Sequence, residues 1–87
     1  MNKKQLVEVI GSGTRTFLYF HAPFCNSCKK ISWLVERERT PMYKIDGEVN
    51  KDLMEAFKIE VYPTIIEIRG TSKRTYKGSD ACINLLK

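Results

Sequence analysis

Apolar and polar residues change periodicity several times along the chain, and each change marks a predicted element. Residues 3 to 10 mix apolar and polar side chains in an amphipathic helical pattern that stops at Gly11 to Gly13. Residues 17 to 20 are a continuous, aromatic-rich apolar run that ends before Pro23. Such a run is typical of a strand buried on both faces, so we expect it to be central in a sheet.

A second helix is predicted after that proline, because apolar residues return at helical spacing between Cys28 and Val35. Asn26 and Ser27 are good capping residues and are expected to cap its start. We expect Trp33 to pack against the rest of the protein, as most large aromatic side chains do.

The second half of the chain predicts a strand, a helix, a hairpin and a last helix. The strand covers residues 42 to 45, and the helix carries Leu53, Met54, Ala56 and Phe57 with Asn50 or Asp52 as its cap. The hairpin joins residues 64–68 to residues 73–77, and the last helix covers residues 81–86 with Ser79 or Asp80 as its cap.

The predicted order is therefore α-β-α-β-α-β-β-α in one α/β domain, residues 1–87, with a four-stranded mixed sheet flanked by helices. Two strands joined through a helix form a parallel pair, whereas a hairpin is antiparallel. We expect the hairpin to lie against the strand at residues 17–20, opposite the strand at residues 42–45.

Composition and charge narrow the function classes. The chain is 43% hydrophobic and 29% charged, which is typical of a globular domain. The net charge is +5, but the basic residues are scattered, so we expect no nucleic-acid partner. No apolar stretch is long enough for a membrane span, and no signal-peptide core follows the first residues. We therefore expect a cytoplasmic monomer with no membrane partner.

The candidate chemistry lies at Cys25 and Cys28, where the first long strand gives way to a helix. Free backbone N–H groups and the positive end of the helix dipole stabilise a thiolate there, so Cys25 is the predicted nucleophile. Cys28 lies one helical turn further and is predicted to be more buried and to resolve a mixed disulfide. Lys29 adds positive charge, and His21 is a candidate to tune the thiolate or carry a proton.

Two other interpretations of the Cys25–Cys28 pair are a static structural disulfide and a metal site. Zinc needs further Cys or His ligands, and the remaining ones, His21 and Cys82, are at unsuitable spacing, so no metal is predicted. A metal or iron–sulfur site shared by Cys25 and Cys28 of two chains stays open. Cys82 lies among apolar residues and is predicted to be a small core residue.

The segments Ala22 to Lys29 (APFCNSCK), Val61 to Thr64 (VYPT) and Lys77-Gly78 resemble the thioredoxin superfamily. The resemblance implies a thioredoxin-like fold, a cis peptide bond before Pro63 and a substrate groove formed by Pro63 with Phe24, Tyr62 and Gly78. It also implies that a bound polypeptide pairs with the Tyr62 backbone. The family's usual tryptophan before the first cysteine is Phe24 here, and two interpretations of Phe24 stay open, a hydrophobic docking contact and a side chain that packs inward. Thioredoxins carry an aspartate at the position of Tyr19.

The resemblance implies a thiol–disulfide oxidoreductase that reduces protein disulfides, with the Cys25–Cys28 pair as its redox group and no separate cofactor. Thioredoxin reductase or glutathione would supply the electrons, and ribonucleotide reductase is a possible substrate by resemblance. The compact length, Gly78 and Asp80 also resemble glutaredoxin, so a glutathione-dependent reductase is one alternative. A non-catalytic docking module is another.

Overall fold

Four helices and four strands follow one another in the order that the sequence predicts. The structure is a computed structural model that describes residues 1–87. The helices are α1 (Lys3–Ser12), α2 (Asn26–Arg37), α3 (Lys51–Ala56) and α4 (Gly78–Leu86). The strands are β1 (Thr16–His21), β2 (Met42–Asp46), β3 (Thr64–Arg69) and β4 (Ser72–Lys77).

The strands form one mixed sheet in the spatial order β2-β1-β3-β4. β1 runs parallel to β2, with Phe17 opposite Met42, and antiparallel to β3, with Phe17 opposite Glu67. β3 and β4 form an antiparallel hairpin. The mixed sheet is confirmed, and so is the position of the hairpin beside β1 and opposite β2.

The central strand β1 supplies both faces of the sheet with apolar side chains because successive residues point to opposite sides. Leu18 and Phe20 pack in a core with residues of α1 and α3, whereas Phe17 and Tyr19 pack in a second core with residues of α2 and α4. Residues Thr16 to Phe20 are all buried. The prediction of a strand buried on both faces is confirmed.

The starts of the helices differ from the sequence prediction in two places. α2 is capped by Cys25 rather than by Asn26 or Ser27, which are already helical. α4 begins at Gly78, so Ser79 and Asp80 lie inside its first turn instead of capping it. At this earlier start Gly78 has a φ of 86°, which favours glycine, and its N–H donates to the Pro63 carbonyl at 2.9 Å.

Two further predictions concern side chains. Asn50 is the residue before α3, but its side chain donates to the Asp46 carbonyl at 2.9 Å instead of capping the helix. Trp33 is 60% exposed, so the expectation that it packs inside the protein is wrong. The Arg37 guanidinium lies 5.1 Å from the centre of its ring, which is a cation–π contact on the outer surface of α2.

Candidate active site

The turn between β1 and α2 places the two cysteines at the start of a helix. The Cys25 N–H donates to the Ala22 carbonyl at 3.1 Å, which closes the turn after Pro23. Cys25 is the residue that caps α2, and its Sγ accepts a hydrogen bond from the Cys28 N–H at 3.1 Å. The Cys25 sulfur therefore lies where unpaired backbone N–H groups and the helix dipole favour negative charge.

The sulfur atoms of Cys25 and Cys28 lie at bonding distance, and their Cα atoms are 5.3 Å apart. Cys25 is 8% exposed and Cys28 is 6% exposed. The expected difference in burial is therefore small in this oxidised state. The two sulfurs differ in backbone position, since Cys25 caps the helix and Cys28 belongs to its first turn.

Tyr62 and Phe24 form an aromatic pair beside the disulfide. Tyr62 packs against the small buried cluster of Ala22, Cys25 and Cys28. The Phe24 ring lies edge-on to the Tyr62 ring, with 6.1 Å between their centres, and Phe24 is 67% exposed. The pair therefore presents an apolar surface to solvent next to the redox group.

Pro63 links this region to the start of α4. The Tyr62–Pro63 peptide bond is cis. The Pro63 carbonyl accepts the Gly78 N–H, and the Cys82 Sγ lies 3.8 Å from the same oxygen. Gly78 is thus joined to the site by its hydrogen bond to Pro63, and Cys82 is buried next to Pro63.

A cleft of about 280 Å³ borders the disulfide. Its lining includes both cysteines together with Tyr19, His21 and Lys29. The Tyr19 and His21 rings stack with their centres 5.3 Å apart. An ion pair between Lys44 and Glu36, with Nζ and Oε1 2.6 Å apart, also borders the cleft. His21 and Lys29, both predicted to tune the thiolate, therefore share this cleft with the cysteines.

The buried ionisable groups near the site are neutral at neutral pH. Burial, and secondarily the neighbouring Cys82, raise the pKa of Tyr19 to about 12. Burial likewise raises the pKa of the Cys82 thiol to about 11. A backbone hydrogen bond from Ile65 lowers this pKa, but its effect is smaller than that of burial. The wall of the cleft at residue 19 is therefore an uncharged hydroxyl group.

The contacts of Tyr62 with Gly47 and Glu48 were not predicted from the sequence. The Tyr62 hydroxyl donates to Glu48 Oε2 at 2.8 Å. Burial and this carboxylate raise the pKa of Tyr62 to about 12. Asp46 and Gly47 gave a turn signal after β2, but nothing in the local pattern links that turn to a residue fifteen positions later.

The structure contains no group of three or more His, Cys, Asp or Glu side chains that could hold a metal ion. None of its helices combines the length and the apolar character that crossing a membrane requires.

The β-α-β order, the cysteine pair at the start of α2 and the adjoining Tyr62–Pro63 segment define the class of thiol–disulfide exchange proteins. The family model described as Thioredoxin matches residues 1–87. The chain belongs to the thioredoxin family, as its sequence motifs predicted.

Solved structures share the fold. Thioredoxin from Trypanosoma brucei brucei superimposes with a TM-score of 0.84 at 19% identity, covering 95% of this chain and 79% of that one. Thioredoxin from Malassezia sympodialis gives a TM-score of 0.82 at 22% identity, covering 97% and 80%. The predicted thioredoxin-like fold is confirmed.

Curated relatives carry names of the protein disulfide isomerase group. Protein disulfide isomerase-like 1-3 of Arabidopsis thaliana is 25% identical, covering all of this chain and 17% of the relative. Protein disulfide isomerase-like 1-2 of Oryza sativa subsp. japonica is 35% identical over 65 residues, covering 66% of this chain and 12% of the relative. The chain thus spans less than a fifth of either relative. Fold, cysteine pair and relatives together support thiol–disulfide oxidoreductase chemistry.

Proposed function

We propose that the protein reduces disulfide bonds in protein substrates through Cys25 and Cys28. The observation that carries the proposal is the position of the Cys25 sulfur, which caps α2 at bonding distance from Cys28. A thiolate formed there is stabilised by backbone N–H groups, and a second thiol is within reach to complete the exchange.

The reaction begins with the reduced protein. The Cys25 thiolate attacks one sulfur of the substrate disulfide, the substrate S–S bond breaks, and the second substrate sulfur leaves with the electron pair and takes up a proton. Cys28 then gives up its proton and attacks the Cys25 sulfur, which releases the first substrate sulfur as a thiolate. Two electrons have moved to the substrate, and the Cys25–Cys28 disulfide has formed.

His21 is proposed to accept the proton of Cys28. Both residues border the same cleft, and the cleft offers a tyrosine hydroxyl at position 19 where thioredoxins have a carboxylate. An imidazole is the side chain suited to proton transfer near neutral pH. Lys29, in the first turn of α2, adds positive charge that favours thiolates at the same site. In single-turnover reduction, His21→Gln should slow the release of substrate from the mixed disulfide and leave the first attack unchanged.

Phe24, Tyr62, Pro63 and Gly78 are proposed to form the substrate groove. Support comes from the exposed Phe24 ring against Tyr62 and from the hydrogen bond that joins Gly78 to Pro63. An extended segment of the substrate would pair with the backbone at Tyr62, and the aromatic pair would contact the side chains beside the substrate cysteine.

Cysteine substitution tests the mechanism. Cys28→Ser should accumulate a mixed disulfide between Cys25 and the substrate, because the resolving thiol is missing. Cys25→Ser should form none and should lose turnover, whereas Cys82→Ala should retain it as the matched cysteine control. Full turnover by Cys25→Ser would refute the proposal, and so would a mixed disulfide formed through Cys28 in the wild-type protein.

A second candidate function is disulfide isomerisation or oxidation, which the names of the curated relatives favour. The reduction potential of the Cys25–Cys28 pair distinguishes reduction of substrates from their isomerisation or oxidation, because a reductase has a more negative potential than an isomerase. Turnover with NADPH and thioredoxin reductase, compared with NADPH, glutathione and glutathione reductase, identifies the electron donor. Refolding of a scrambled disulfide protein tests the isomerase activity directly.

A further inference from the structure

The turn between β2 and α3, residues 46–50, contacts the Tyr62 ring at two points. Glu48 accepts the hydrogen bond from the Tyr62 hydroxyl at 2.8 Å. Gly47 lies so close to the ring that a Cβ added to it would overlap the Tyr62 hydroxyl oxygen and lie 2.6 Å from Cε1. The ring can occupy this position because residue 47 has no side chain. We call Gly47 and Glu48 together the Tyr62 seat.

Hydrogen bonds hold this turn in place. The Gly47 N–H donates to the His21 carbonyl at 2.9 Å, which continues the pairing of β1 with β2, and Gly47 is buried. The Glu48 N–H donates to Asp46 Oδ1 at 2.9 Å, and the Asn50 N–H donates to the Asp46 carbonyl at 3.0 Å. A side chain added at residue 47 would therefore displace the half-buried Tyr62 ring, and with it the flexible Met54 side chain, before it displaced the backbone of the turn.

The Tyr62 ring also touches the redox site. It packs against the cluster that contains Cys25 and Cys28, and the Phe24 ring leans edge-on against it. Phe24 is mostly exposed, so Tyr62 is the support that fixes the aromatic pair beside the disulfide. Moving the Tyr62 ring would separate that apolar surface from Cys25 without altering the cap of α2.

We propose that Gly47 and Glu48 are positioning residues for docking of protein substrates, because they hold Tyr62 in the place where it and Phe24 form one apolar surface. The proposal rests on the function proposed above and deepens it. The Tyr62 seat sets the affinity for a protein disulfide, whereas the helix start around Cys25 sets the rate of sulfur exchange. Substrates that are too small to reach the aromatic pair do not depend on the seat.

The test compares two disulfides, insulin and the small, polar, non-aromatic reagent bis(2-hydroxyethyl) disulfide. Gly47→Ala should raise KM for insulin about threefold to tenfold, the range expected for losing an aromatic pair, and leave kcat unchanged. Its rate with the small reagent should equal that of wild type, because the start of α2 around Cys25 is unaltered. Gly11→Ala is the matched control, because a Cβ there meets nothing within 4 Å, and should change neither substrate's kinetics.

A double-mutant cycle with Tyr62→Ala shows whether Gly47 acts through the ring. With the ring removed, Gly47→Ala should have no further effect on KM. The proposal is wrong if Gly47→Ala leaves KM for insulin unchanged, if it slows both disulfides equally, or if its effect persists without the ring. Inactivity of the wild-type protein toward both disulfides would contradict the proposed function, and the seat proposal with it.

Glu48 gives a test that adds no atoms, in case Gly47→Ala does not fold. Glu48→Ala removes the acceptor and should raise KM for insulin about twofold to fivefold, whereas Glu48→Gln keeps an acceptor oxygen and should restore it. Equal KM values for wild type and Glu48→Ala would overturn the proposal. Equal effects of both Glu48 variants would overturn it as well, since loss of charge would then be the cause.

Discussion

Cys82 should make the protein less stable in alkaline solution. The side chain is fully buried between α4 and the sheet, and burial raises the pKa of its thiol from 9.0 to about 11. Below pH 9 the thiol is protonated in both the folded and the unfolded chain, so it causes no pH dependence. Between pH 9 and pH 11 the unfolded chain releases this proton and the folded protein keeps it, so the free energy of unfolding falls as the pH rises.

The size of the effect follows from the two pKa values. Each unit of difference corresponds to about 1.4 kcal/mol, so Cys82 accounts for a loss of about 1.4 kcal/mol by about pH 10 and about 2 kcal/mol by about pH 10.5. Tyr19, whose pKa is raised from 10.0 to about 12 in the folded protein, adds a further loss that begins above pH 10. Subtracting the same measurement on Cys82→Ala removes the contribution of the lysines, and it removes most of that of Tyr19, whose pKa is raised mainly by burial and only secondarily by Cys82.

The assay is urea unfolding of the oxidised protein, in which Cys25 and Cys28 are joined and do not titrate, at about pH 8 and about pH 10.5. At the lower pH, Cys82→Ala should be less stable than wild type by about 1 kcal/mol, because it leaves a small gap in the core. That difference should disappear or reverse at the higher pH. A wild-type advantage that is the same at both pH values would refute the reasoning, since the thiol would then ionise equally in both states.

Three further predictions follow from burial. In the reduced, folded protein, Cys25 should be alkylated first at neutral pH because it is the predicted thiolate, and Cys82, which is fully buried, should react only after denaturation; rapid modification of Cys82 in the folded protein would contradict its placement. Ile31→Ala should lower the free energy of unfolding by about 2–5 kcal/mol in urea titrations, because the Ile31 side chain on α2 is fully buried. A loss below about 0.5 kcal/mol would be inconsistent with that packing. Trp33, the single tryptophan, should show solvent-exposed fluorescence that acrylamide quenches in the native state; strong protection from quenching would contradict its exposed position.

The fold was predictable because its elements have clear periodicity. The continuous apolar run of β1 predicts a strand that is buried on both faces. A helix between β1 and β2, followed by a hairpin, allows only a few strand orders in the sheet. Trp33 shows where a general tendency misleads. At about 100° per residue, Trp33 lies about 200° around α2 from the buried Ile31, so helical geometry places it on the outer face even though large aromatic residues are usually buried.

Helix starts were less predictable because they depend on contacts that the local sequence does not contain. Cysteine is not among the preferred capping residues, yet the Cys25 sulfur accepts the Cys28 N–H because the Ala22–Cys25 turn brings it there. α4 begins at Gly78 rather than after Ser79 or Asp80. The Gly78 N–H donates to the carbonyl of Pro63, which lies in another part of the chain. In both cases the residue that starts the helix also belongs to the candidate site.

The same distinction separates the two halves of the proposed function. The proposed exchange chemistry depends on Cys25 and Cys28. Their spacing is visible in the sequence, and the turn before α2 and the start of α2 define their geometry. The proposed substrate docking depends on Tyr62, whose ring contacts Gly47 and Glu48 in a distant turn. The two sets of contacts meet where Tyr62 packs on the disulfide and where the Gly47 N–H donates to the His21 carbonyl. Because the remaining docking contacts lie outside the turn and helix that hold the cysteines, docking can vary while the cysteine pair stays unchanged. The residues that select a substrate should therefore be sought in the β2–α3 turn as well as between the cysteines.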